Sequence, residues 1–524
     1  MKKLNVVRGL RISSQALRPF NRAKVRELVR KRPLPPNLLE NNVVDLVISR
    51  FQSMSIPLTG PHISIFLTVI SSEKKFNPVN ASTVIENFVE ALLDKPDLKK
   101  IYRNGMDYRE TVDLLGHIAE IMVRDNSYSF SPQKIRDIIR DYYLEIGISR
   151  SSEDVVISLM TANVLTSGES ITFKYNIIFS FFVAYRMKEH KEFLDYILEK
   201  DRFTSYVHEI DICCGLSRRD VAILNRVANH YSAAFEHLDD ELKRLANSDY
   251  LTQLKLPSDD DADEFAAEFA KALGSKEVRG AQRGKFENQP VAQNQFRQTL
   301  ARKPVKDSLF YWIYALRAYS VCVKNLEIIS STDKIKHLQI VLDGWAKLTT
   351  LVVAILGTCF EGDGIEFKIG ETRFSFDLKG KIDGKMLRLL LMYIPAYMSS
   401  FVRLDVGSEK LSLQLEGMEP NNSATDLLRT GLIAAMKLPG FAGFVKRYLK
   451  TVAGDRYLVG AMGWVLRDIF LRFGFSSSEE DSLRRMISEI EADLQGVKGP
   501  ERSRFISQQD NILAKRKLVV TLRE

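Results

Sequence analysis

The chain has 524 residues, 45% hydrophobic and 27% charged, with 28 glycines and 16 prolines. That length exceeds one ordinary core and fits two to four domains of roughly 100–200 residues. Glycine plus proline makes up about 8% of the chain against a usual ~12%, which favours helices and excludes disorder as the main state. The net charge of +9 is concentrated at the start: residues 1–34 carry eleven bases, from Lys2 to Arg32, and a single acid, Glu27, leaving the rest of the chain close to neutral. Nucleic-acid binding is therefore arguable only for residues 1–34.

Asn21 to Leu34 reads as a basic helix halted by Pro33-Leu34-Pro35-Pro36, because consecutive prolines remove donors and clash with the preceding turn. Arg30-x-x-Pro33-x-x-Pro36 also fits a polyproline ligand pattern. Leu38 to Met54 follows as a helix with Val43, Val44, Leu46, Val47 and Phe51 on one face. Gly60-Pro61 opens an apolar stretch, His62 to Ile70. Asn80 or Ser82 can cap a helix running to about Leu93, Ser131-Pro132 starts another, and Ser152 to Ala162 is a third. Val164-Leu165, a turn at Thr166 to Ser170, an alternating strand Ile171 to Tyr175 and an apolar helix from Asn176 to Met187 complete the outline of a winged helix.

Lys188 to about Leu256 keeps a helical pattern. Residues 257–306 form a linker that opens on an acidic knot, Asp259 to Glu264. Leu309 to Cys359 is mostly helix; its longest apolar run, Leu348 to Phe360, is thirteen residues, short of the ~20 that span a bilayer, and reads as a core helix. Ile365, Phe367 and Ile369 alternate against Phe374, Phe376 and Leu378 around Gly370-Glu371. Val402, Leu404 and Val406 do the same against Leu411, Leu413 and Leu415 around Gly407-Ser408-Glu409, so two hairpins are predicted. The expected class is mainly α, with a helical subdomain and winged helix followed by a helical region with two small β-hairpins. The divisions are a basic helical segment at 1–60, helical subdomain and winged helix at 61–187, helices at 188–256, linker at 257–306, an α+β domain at 307–470 and a C-terminal helical segment at 471–524.

No catalytic constellation stands out. The nearest approach to a P-loop, Gly280-Ala281-Gln282-Arg283-Gly284-Lys285-Phe286, is one residue short, has Phe for the Mg²⁺-binding hydroxyl and lacks a preceding strand. His230, His237 and Glu241 could share a helix face, but a metal site wants tighter convergence, so a solvated face is expected and no metal. His117 and Glu120 have no companion ligands in the sequence. Cys213-Cys214, Cys322 and Cys359 make no disulfide framework and read as buried thiols in a reducing, cytoplasmic compartment. The acid-poor, Arg-rich start also suits a mitochondrial transit peptide. The helix Ser152 to Ala162 carries Glu153 and Asp154 and no base, so as a recognition helix it would be repelled by phosphate and is expected to pack on protein.

Phe173-Lys174-Tyr175-Asn176-Ile177-Ile178-Phe179-Ser180-Phe181-Phe182-Val183-Ala184 resembles the end of the winged-helix domain of STAND-type signalling NTPases of the NACHT kind, whose pattern is close to F-x-H-x-x-F-Q-E-[YF]-F-x-A. Ile56 to Leu67, with Pro61, is similar to the stretch opening that family's helical subdomain, where a Pro packs beside adenine. Asn80 to Leu93 also fits, and the likeness covers about residues 10–190. The resemblance implies Pro61 and Tyr175 as nucleotide-side positions, although Tyr175 stands where the family has its phosphate-sensing His, and Ser180 where it has Glu. The family's nucleotide-binding core is expected outside this chain, so ATP or ADP enters only with a STAND ATPase core supplied in cis or in trans. Residues after Lys188 would then be the sensor half, taking an unknown trigger ligand, in bacterial members within antiviral defence. The expected function is a non-catalytic regulatory and sensor module with no membrane contact; the alternative is a nucleic-acid-binding regulator using residues 1–34.

Overall fold

The computed structural model describes residues 20–31, scattered positions within 40–67, residues 81–93, 106–254 apart from 167–168, 305–359, 384–472 and 477–523, and four short strands. The described residues are mainly helical. In chain order come strands β1 (Val6–Val7) and β2 (Leu10–Arg11), and helices α1 (Arg22–Arg30), α2 (Ala81–Leu93), α3 (Tyr108–Arg124), α4 (Pro132–Glu145), α5 (Ser152–Thr161), α6 (Asn176–Glu189) and α7 (Lys191–Ile197). Then follow α8 (Val207–Ser217), α9 (Val221–Glu236), α10 (Asp240–Ala246), α11 (Tyr250–Gln253), α12 (Ser308–Asn325) and α13 (Ser331–Cys359). Strands β3 (Ile365–Ile369) and β4 (Thr372–Phe376) precede α14 (Gly384–Val406), α15 (Ser412–Gly417), α16 (Ser423–Ala435), α17 (Phe441–Thr451), α18 (Arg456–Arg472), α19 (Ser477–Leu494) and α20 (Pro500–Arg523).

Helix starts follow the capping chemistry of the sequence. Asn21, Asp107, Ser131, Ser151, Asp220 and Asp307 each accept a hydrogen bond from a first-turn amide of α1, α3, α4, α5, α9 and α12, and such caps are each worth about 1 kcal/mol. Asp107 is joined by Glu110 three residues on. Gly147, at φ +72, takes the left-handed step that closes α4, and the next amide, Ile148, donates back to Tyr143 O at 2.9 Å.

Around α3 to α6 the backbone forms two short extended contacts. Phe130 pairs antiparallel with Ile171, and Leu165 with Phe173, as isolated bridges. The alternating strand expected over Ile171 to Tyr175 is thus held at two points rather than along a ladder. Ile171, Thr172 and Phe173 are all buried, and Phe173 lies 5.6 and 5.8 Å from Phe179 and Phe182.

The packing runs through the expected divisions. α8 packs on α2 and α6 on one side and on α12 on the other, while α9 packs on α12. α12 and α13 pack together and α14, α16 and α18 form the next layer, with α19 and α20 following on α18. One apolar cluster reaches from Val25 to Leu513 and takes in Trp312, Trp345 and Tyr319. Among the described residues α13 alone is long and apolar enough to cross a membrane. Its Leu338, Val341, Leu342 and Trp345 are buried in that cluster, and α10, α12, α14 and α16 lie against it.

β3 and β4 pair antiparallel with Phe367 opposite Phe374 and Ile365 opposite Phe376. The second expected hairpin is absent: Val402, Leu404 and Val406 lie in α14, and Leu413 and Leu415 in α15, after a 3₁₀ turn at Glu409–Leu411. The apolar alternation there is one reading of a helical face. Met398, Val402 and Val406, four apart, are all buried, whereas Leu404 and Leu413 are exposed. The linker at 257–306, Pro61 and the prolines at 33–36 lie outside the described residues, apart from Val305 and Lys306 at the linker's end.

Candidate functional site

A buried polar cluster lies at the junction of α3, α6 and α7. Glu120, on the inward face of α3, is 5% exposed. Its carboxylate accepts from Arg124 Nε at 2.8 Å, Arg186 Nε at 2.7 Å and lies 3.0 Å from His190 Nδ1. Burial pushes this carboxyl up, but the hydrogen bonds from Arg186 and Arg124 outweigh it and hold the acid below its ordinary value. Arg124 is further held 4.8 Å above the Tyr196 ring, and Arg202 caps that ring at 3.9 Å. His117, on the same helix as Glu120, is held below the ordinary imidazole value by burial and by the Arg186 charge. Of the partners of Glu120 only Arg124 is near in sequence; Arg186 lies on α6 and His190 at the α6–α7 break, 66 and 70 residues away. Arg186 and His190 went unread because they fall just past the apolar motif that ends at Ala184.

Tyr175 is buried at the entrance of α6, and burial pushes its hydroxyl up to about 12. It is a neutral phenol at neutral pH, so it brings no positive charge toward a phosphate as an imidazolium would. One turn on, Ser180 Oγ donates to Glu209 Oε1 at 2.7 Å, both side chains being buried. A carboxylate therefore does sit against this position of α6, delivered by α8. Tyr175 lies within the described residues and Pro61 outside them.

The remaining candidates separate. His230 is half-buried, stacked on Phe203 at 4.7 Å with Nε2 2.8 Å from Leu198 O, whereas His237 is exposed at the end of α9 and Glu241 is exposed on α10. The expectation that all three share a solvated face fails at His230, whose ring replaces an apolar contact. Among the described residues no three His, Cys, Asp or Glu side chains converge as a metal set. Cys213, Cys214 and Cys322 are free and buried, with Cys214 Sγ 3.5 Å from Cys322 Sγ. In the basic start, Arg26 and Arg30 both bond to Glu40, and Lys31 to Glu27, so part of the positive charge counted there is already matched.

The outward side of α4 and α5 has a different character. The face of α5 that turns away from buried Val155, Val156 and Leu159 carries Glu153, Asp154 and Ile157. Arg150, at the entrance to α5, is folded back in a two-point pair with Glu110, at 2.6 and 2.9 Å. No protein-family model matches the chain, and neither a curated protein nor a solved structure is significantly similar to it.

Proposed function

We propose that the chain is a non-catalytic regulatory and sensor module working with a P-loop ATPase of the STAND type, supplied in cis or in trans. Residues 61–187 act as helical subdomain and winged helix, and residues 188–524 take the trigger. The observation that carries the reading is the order of pairing around α3 to α6. A helix, an extended contact at Phe130, two helices, a contact at Leu165 and a return at Ile171–Phe173 that pairs with both earlier pieces follow the order expected of a winged helix and support that reading. The acidic and apolar outer face of α5 supports contact with protein over nucleic acid, and the neutral phenol at Tyr175 supports weak nucleotide affinity for this chain alone.

Two measurements test it. Equilibrium titration of the isolated chain with ATP and ADP should give no stoichiometric, tight binding; a tight one-to-one isotherm overturns the proposal. The native product, purified from its source, should carry ATP hydrolysis either in a polypeptide well above 59.8 kDa or in a stoichiometric companion. If instead the intact chain gives a salt-sensitive DNA or RNA shift that deletion of residues 1–34 abolishes, the nucleic-acid-binding alternative replaces it.

A further inference from the structure

The end of α4, the turn after it and the outer face of α5 carry four large aliphatic side chains that remain exposed. Leu144, Ile146, Ile148 and Ile157 are 69%, 45%, 39% and 54% exposed. The first three fall within five residues across the α4–α5 turn, and the left-handed step at Gly147 turns the chain there. Ile157 stands on the adjoining helix, α5 being packed directly on α4. Isolated exposed apolar residues need no explanation, but a group of four large aliphatic side chains on one helix–turn–helix does.

The charges around them are one-sided. Glu145 follows Leu144 on α4. Glu153 is one turn before Ile157 on the same face of α5, with Asp154 beside it. Among the described residues none of these three carboxylates forms an ion pair, whereas both cations between residues 140 and 161 are committed elsewhere, Arg140 to Asp137 and Asp141 and Arg150 to Glu110. An apolar centre with an unmatched acidic rim disfavours phosphate backbones and anionic lipid, and it complements a helix that presents aliphatic side chains flanked by Lys or Arg.

We infer that this surface is a docking site for a basic amphipathic helix of a partner protein, Ile157 and Leu144 meeting its apolar stripe and Glu145, Glu153 and Asp154 its flanking cations. The inference stands on exposure and charge and is independent of the ATPase reading. It is tested on the full chain with two labelled 18-residue probe helices that share one leucine stripe, flanked in one by Lys and in the other by Glu, followed by fluorescence anisotropy. The Lys-flanked probe should bind, the Glu-flanked probe should not, and binding should weaken as salt rises. E153K/D154K and, separately, I157S should each weaken it by about tenfold or more; all three positions are exposed, so the variants keep the fold, checked by unchanged circular dichroism. Hydroxyl-radical footprinting should show Leu144, Ile146, Ile148 and Ile157 protected by the Lys-flanked probe. No binding, equal binding of both probes, or binding that neither variant weakens would each overturn the inference.

Discussion

Removing the Glu120 carboxylate tests whether the α3–α6–α7 junction is held by charge or only by packing. In Glu120→Ala, Arg186 and Arg124 lose their common acceptor. Breaking a buried pair from one side costs about 3–5 kcal/mol when the stranded charge is sealed from water. Here the side chains of Arg186 and Arg124 are 25% and 39% exposed, so both can recruit water, and Arg124 keeps its place over Tyr196. The expected loss is therefore about 2–3 kcal/mol, and about 1–2 for Glu120→Gln, which keeps a neutral acceptor. The loss should be local: native-state hydrogen exchange should show faster opening of residues 186–197, with amides of α18 and α19 unchanged. The pH dependence follows from the sign of the shift. A carboxyl held below its ordinary value of 4.5 contributes stability that is fully present above that value and is lost as pH falls through the lower, folded value. The difference between wild type and Glu120→Gln should therefore shrink in acid. Exchange in 186–197 within about 0.5 kcal/mol of wild type for Glu120→Ala would refute the assignment of this carboxylate as the junction's anchor.

Three further outcomes are expected. Gly344→Ala would place Cβ 2.5 Å from Tyr231 Oη and 2.7 Å from Leu316 Cδ1; overpacking of about 1–3 kcal/mol exceeds the ~0.5–1 gained in helix propensity, so thermal melting should fall, and an unchanged or raised midpoint contradicts the packing. His117, His230 and His337 are each held below the ordinary imidazole value by burial, so the folded state binds fewer protons than the unfolded one and stability should drop as pH falls through about 6.5; a melting temperature flat from pH 7.5 to 5.5 rejects this. Iodoacetamide followed by peptide mass spectrometry should leave Cys213, Cys214 and Cys322 unmodified in the native protein and modify all three in guanidinium, because burial raises the Cys213 thiol and both the Cys322 contact and burial raise that of Cys214.

The helices were legible where local chemistry decides. Ser131-Pro132, Asn176 to Met187 and the apolar face led by Val43 and Val44 depend on neighbours within one or two turns. What periodicity could not settle was Val402 to Leu415, because residues two apart and residues four apart were both apolar there, and only the burial of Met398 with Val402 and Val406 separates the alternatives. The polar cluster was illegible for another reason. Glu120 is one carboxylate among 66 acidic residues, and what distinguishes it is convergence with Arg186 and His190 from another helix, which sequence spacing does not encode. Tyr175 and Ser180 were singled out by motif, yet the carboxylate beside Ser180 comes from Glu209, an acid that no short pattern would select.

α8 is the element that both halves of the described structure grip. On one side Glu209 accepts from Ser180 of α6, and Arg218, just past its end, donates to Thr83 of α2 at 3.1 Å. On the other, Asp211 is paired with Lys324 at 3.3 Å and accepts from Asn325 of α12, while Cys214 touches Cys322. Lys324 reaches on to Leu404 O, and Arg317 to Asp405 at 2.8 Å, tying α12 to α14. These polar contacts have directional geometry and sit beside close-packed apolar faces, so α8 cannot slide on α12 without giving up Asp211's bonds to Lys324 and Asn325, nor on α6 without breaking the Ser180–Glu209 hydrogen bond. A movement that begins in the later helices would therefore reach α6 either by carrying α8 as a rigid body or by breaking one of these two sets. Because Asp211 is partly open to water and Glu209 is not, the set on α12 is the cheaper to break.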